Sequence, residues 1–180
     1  MILKEDLLEE KIFDASYHNE AIFDENLTNK DFQNCYFDHI DFQDISFEHS
    51  YFVDVTFSHC DLSNIKMNTT LFRHVQFQNC KLMGTDFAES LFDNVTFKDC
   101  LCHFANFAFM NNKTVQFHQC SLHNASFIET KMNKTSFHEC DLTQCEFLHA
   151  PLYKTDLSSC QIEGIHIELN RIHGMRSYSF

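Results

Sequence analysis

VTFSHCDL (residues 55–62) sets a valine, a phenylalanine and a cysteine at positions 55, 57 and 60. The arrangement returns as VQFQNCKL (75–82), VTFKDCLC (95–102), VQFHQCSL (115–122), TSFHECDL (135–142) and TDLSSCQI (155–162), each copy starting twenty residues after the last. A shorter period lies inside the longer one. Steps of five from Phe32 land on Phe37, Phe42, Phe47, Phe52, Phe57, Leu62, Met67, Phe72, Phe77, Leu82, Phe87, Phe92 and Phe97. After Cys102 they land on Phe107, Asn112, Phe117 and a further series of large, mostly apolar residues ending at Ile167. We call this position i. Sixteen of the 21 phenylalanines share its phase, and eight of the nine cysteines sit two residues earlier, at i−2.

Strand geometry explains both positions. Alternate residues of a strand point the same way, so i−2 and i face inward while i−1 faces outward. Positions i+1 and i+2 are polar, as in Ser58-His59, Gln78-Asn79 and Lys98-Asp99, and suit a turn. Each five-residue unit is then one short wall and one corner, and the twenty-residue period closes a coil after four walls. Stacked coils pair as parallel strands about 4.8 Å apart. Like residues therefore form columns, one of them Cys60, Cys80, Cys100, Cys120, Cys140 and Cys160. An amphipathic helix needs a spacing near 3.6 residues, which is absent.

Composition narrows the setting. Nine cysteines, an odd number, make no disulfide framework behind an opening as acidic as MILKEDLLEE, so a reduced, cytoplasmic protein is expected. No stretch approaches the roughly 20 apolar residues of a membrane helix. Residues 1–61 hold 15 acids against Lys4, Lys11 and Lys30, a balance of −12, whereas the remaining residues come to −1. Such acidity excludes direct phosphate-neutralising contact with nucleic acid. It points to a partner with a basic surface.

Units such as CDLTQ, TDFAE and CDLSN, running over residues 30–170 without a phase slip, resemble the pentapeptide-repeat family. That resemblance implies an all-β, right-handed quadrilateral parallel β-helix, here about seven to eight coils. The expected divisions are an N-terminal cap and irregular first coil at 1–26, the β-helix at 27–170, and a closing tail at 171–180. Ile2, Leu3, Leu7 and Leu8 suggest a short amphipathic turn, and Phe13 and Phe23 fall out of phase. Within the family, the Phe/Leu register, the acidity and the ending CQIEGIHIELNRIHGM are similar to the quinolone-resistance and gyrase-inhibitor group. The resemblance implies a non-enzymatic DNA mimic that binds DNA gyrase or topoisomerase IV. Members of that group dimerise through a C-terminal helix, which is not read here, so a homodimer would have to use another surface.

Two surfaces stand out. Asp38, Asp41, Asp44, Glu48, Asp54 and Asp61 project outward around the early coils as an acidic protein-binding face. Leu71, Leu91, Phe109, Ile128 and Leu148, with Ala88, Ala108 and Pro151, make one edge more apolar than the others. A contiguous apolar strip marks an interface, and a regulatory or structural scaffold using it is the alternative function. The cysteine column is a straight interior line rather than a tetrahedron of ligands, so it is read as packing. The histidines lie at outward corners with no nucleophile beside them, and no catalytic residue, cofactor or metal site is expected, although His118 and His138 share a column. Around Cys102 and Asn112 two readings stand: a bulge that turns Phe109 or Met110 inward in place of Asn112, or an exposed recognition patch.

Overall fold

A computed structural model describes residues 3–23, 26–152 and 155–168, and in it the chain winds into a β-solenoid of about 8 coils. Parallel pairing joins residues twenty apart throughout: Lys11 to Asp31, Asp31 to Tyr51, Tyr51 to Leu71, Leu71 to Leu91 and Leu91 to Asn111. The backbone of each coil hydrogen-bonds to the next, as in Leu91 N–H to the Thr70 carbonyl at 3.0 Å and Asp61 N–H to the Ile40 carbonyl at 2.9 Å. Every position i from Leu7 to Leu157 is buried, including Cys102 and Asn112.

We number the walls by their central residues. The first wall holds Ile12, Phe32, Phe52, Phe72, Phe92 and Asn112; the second Tyr17, Phe37, Phe57, Phe77, Phe97 and Phe117. The third holds Ile22, Phe42, Leu62, Leu82 and Cys102; the fourth Leu27, Phe47, Met67, Phe87 and Phe107. Rings in one wall stack face to face up the rod, with Phe77–Phe97 centroids 4.8 Å apart and Phe97–Phe117 4.7 Å apart. That is the strand spacing itself. Rings on adjacent walls can meet edge to face, as Phe87 and Phe92 do at 85°, and so do rings across the coil, as Phe97 and Phe107 do at 83°. Both arrangements suit the aromatic quadrupole.

The corners have a backbone signature. At i+2 the chain enters the left-handed region almost without exception, from Asp14 (φ 54°) to His149 (φ 58°). Asn, Asp and His tolerate this conformation best, and they fill most of these positions. At Gly84 (φ 66°) an added Cβ would lie 2.4 Å from Asn64 Oδ1, so any larger residue there has to displace that side chain.

The structure revises two expectations. The first coil is regular rather than irregular: strands Lys11–Phe13, Ser16–His18 and Ala21–Phe23 pair in register with the second coil. Ile12, Tyr17 and Ile22 fill the inward slots, and Phe13 and Phe23 are simply outward neighbours. A helix at Leu3–Asp6 precedes it, and Leu7 is buried whereas Leu8 is exposed. The second revision concerns Asn112, which stays inward with Met110 buried two residues earlier, while Phe109 points outward. No bulge forms, because the inter-coil ladder holds the five-residue phase. Ile2 and the tail 171–180 lie outside the described residues.

Candidate protein-binding surface

The i−2 slot has a chemical role beyond filling space. Many of its hydroxyls and thiols donate to the carbonyl 23 residues earlier, that of a wall-centre residue on the coil below. Thr70 donates to Phe47 O at 3.0 Å, Thr85 to Leu62 O at 2.7 Å and Ser90 to Met67 O at 2.9 Å. Cys60, Cys80, Cys100 and Cys140 do the same from sulfur, at 3.4–3.5 Å. Cys102, at position i, is fully buried, and burial pushes its thiol well up. Burial likewise raises Cys145 to about 12. Thiols held protonated in this way are poor nucleophiles and poor ligands; the column itself reads as packing because its buried sulfurs point at backbone carbonyls of the coil below.

Outside the walls, the six acidic residues do not share one face. Asp38, Asp41 and Asp61 lie on the edge between the second and third walls, where Asp41 and Asp61 pair across adjacent coils. Asp44 stands at the next corner, Glu48 at the following one, and Asp54 at the corner between the first and second walls. A twenty-residue coil distributes neighbours in sequence to different edges, so the acids form a collar. Most of them are engaged. Asp54 meets His74 Nδ1 at 3.0 Å, Asp61 meets Lys81 Nζ at 3.2 Å, and Asp41 accepts from Gln43 Nε2 at 2.8 Å.

These contacts tune the carboxylates. The hydroxyl of Ser46 and the amide of Asn68 hold the Glu48 carboxyl below its ordinary value. For Asp61, partial burial acts upward but is outweighed by Ser63 and Lys81, so the group is lowered. Asp38 is also lowered: burial opposes this, and hydrogen bonds from His39, His18 and Ser58 win. The early coils therefore carry firmly ionised carboxylates.

The apolar strip does lie along one edge, between the fourth and first walls, with Leu71 and Leu91 paired in register. Leu71, Leu91, Ile128 and Leu148 are half-buried and Ala108 is buried, so the exposed area comes chiefly from Phe109 and Tyr51, 52% and 51% exposed. Phe104, 64% exposed, and Leu101 and Met83 show apolar surface elsewhere. Sequence reasoning missed Tyr51, although its spacing to Leu71 and Leu91 is the repeat length. It also missed His18, twenty residues before Asp38. His118 and His138 meet edge to face, with 5.9 Å between ring centroids.

Family models agree with the geometry. One described as the pentapeptide repeat region matches residues 26–107 and 50–125, and one described as pentapeptide repeats matches residues 120–158. No curated protein matches significantly. Among solved structures, the chain is similar to QnrB1, a plasmid-mediated fluoroquinolone resistance protein, at 18% identity over 88% of this chain and 92% of that one, with a TM-score of 0.41. A pentapeptide repeat protein of the Arabidopsis thaliana thylakoid lumen is 26% identical over 54% of this chain and 64% of its own, with a TM-score of 0.39. HetL, involved in heterocyst differentiation regulation in Nostoc sp. strain PCC 7120, is 14% identical over 88% and 86%, with a TM-score of 0.27.

Proposed function

Because the chain belongs to the pentapeptide-repeat family, we propose that it acts by binding rather than catalysis, as an acidic mimic of DNA. Its partner is then the DNA-binding groove of DNA gyrase or topoisomerase IV, which it modulates or shields from quinolones. One observation carries this reading: the acidic collar wound on a stiff rod. Residues 11–61 hold 11 acids against Lys11 and Lys30, a net −9, and the two and a half coils they supply rise about 12 Å at the inter-strand spacing. Duplex DNA carries one negative charge per roughly 1.7 Å of axis. The collar thus reaches the linear charge density of a duplex over a short length.

Carboxylates fixed on rigid coils suit Lys and Arg side chains that otherwise hold phosphates, and they steer the encounter from a distance. A supercoiling assay with purified gyrase, with and without a quinolone, tests the proposal. Inhibition of supercoiling, or relief of quinolone poisoning, is expected; neither effect, with no binding, overturns it.

A second reading uses the edge holding Tyr51, Leu71, Leu91 and Phe109 as the contact for another protein, with the solenoid as scaffold. Under it, Leu91→Asp abolishes partner binding and neutralising Asp41 and Asp61 does little. The DNA-mimic reading expects the reverse.

A further inference from the structure

We propose that His18, Asp38, His39 and His59 form a zinc site on the edge between the second and third walls. The repeat brings them together. His18, Asp38 and Ser58 are register partners on three successive coils, and His39 and His59 occupy the corners directly after Asp38 and Ser58. Three imidazole nitrogens stand around one carboxylate, that of His59 also hydrogen-bonded to Ser58 Oγ at 2.9 Å. His39 Nδ1 lies 3.0 Å from Asp38 Oδ1, His59 Nδ1 lies 3.7 Å from the same oxygen, and His18 Nδ1 lies 3.4 Å from Oδ2. The donor atoms of Asp38, His39 and His59 all fall within 4.8 Å of one another.

The separations within Asp38, His39 and His59 suit a small cation, with His18 beside the carboxylate as a fourth donor that would have to swing in. Ligands bound at about 2.0–2.1 Å on a tetrahedron stand roughly 3.3 Å apart. Imidazole and carboxylate donors select zinc and its late first-row neighbours over magnesium or calcium. Backbone preference alone does not explain the cluster. A left-handed corner accounts for a histidine at His39 (φ 54°) and His59 (φ 53°), but His18 sits in strand Ser16–His18, where no such preference applies. The repeat stacks the His39 and His59 rings at 4.6 Å and 8°, the coil spacing, beside the same acid. The corner backbone fixes where both imidazoles start, and each is about half exposed and able to turn onto an ion. Cys60, inside the same corner, is 1% exposed and directed to the Phe37 carbonyl, so a thiolate does not compete. Bound zinc would staple the first three coils and neutralise part of the collar.

The test is isothermal titration of the untagged full chain with zinc chloride under reducing conditions. His39→Asn/His59→Asn removes two donors while keeping residues that accept the left-handed corner, and circular dichroism checks that the fold persists. His118→Gln/His138→Gln is the control. A single site in the wild type, weakened at least about tenfold in the first variant and unchanged in the control, is expected. Absence of binding in the wild type overturns the assignment, as does equal affinity in the first variant.

Discussion

A single backbone angle explains much of the surface composition. The left-handed region costs an ordinary side chain about 1–2 kcal/mol, and the corners recruit Asn, Asp and His to lessen that cost. The histidines at positions 39, 49, 59, 74 and 149 are thereby accounted for without catalysis. Phe104 and Phe109 break the preference, at φ 59° each, and remain exposed. Phe104→Asn should raise stability by about 1 kcal/mol, read as a higher midpoint in urea unfolding; a lower midpoint would mean the ring has packing value. Inside, Thr85→Val keeps the shape but strips the hydrogen bond from the Leu62 carbonyl, and should cost about 1–3 kcal/mol in the same measurement. The carboxylates add a pH dependence. Asp38, Glu48 and Asp61 are lowered in the folded chain, so their contribution is complete above the unfolded carboxyl value and is lost as pH falls through the folded one. Melting curves should fall below about pH 4, and Asp61→Asn should flatten part of that fall.

The wall, as an element, was legible where its central residue is a phenylalanine and obscure where a larger residue stands beside it. Phe13 and Phe23 drew the eye from Ile12 and Ile22, which hold the inward slots; the twenty-residue pairing of Lys11 with Asp31 settles the phase. Asn112 misled in the opposite sense, because a polar residue at position i suggested a bulge. The ladder keeps it inside, where Nδ2 donates to Thr135 Oγ1 at 3.1 Å and Oδ1 finds no protein partner. The neighbouring ring responds: Phe92 meets Phe72 at 78°, whereas Phe52 lies parallel to Phe72 at 5°. Asn112→Leu should remove the orphaned carbonyl and raise stability by about 1–2 kcal/mol. Calorimetry of the two proteins checks this, and a lowered melting temperature would mean that the bond to Thr135 outweighs the orphan.

Over the whole molecule, the sequence carries the architecture in its two periods and the charge asymmetry in a count. It conceals which charges meet. Asp41 and Asp44 are close in sequence yet on different edges, whereas Asp41 and Asp61 are neighbours across coils. Only when residues are compared twenty apart do the collar and the histidine cluster around Asp38 become visible. The central claim is that this end of the rod takes the place of DNA. It is tested most directly by equilibrium binding to gyrase in competition with duplex DNA over a range of salt. Mutual exclusion, an affinity that falls steeply with ionic strength, and loss of binding in Asp41→Asn/Asp61→Asn are predicted. Simultaneous occupancy with DNA, or binding indifferent to salt and to those substitutions, would contradict it.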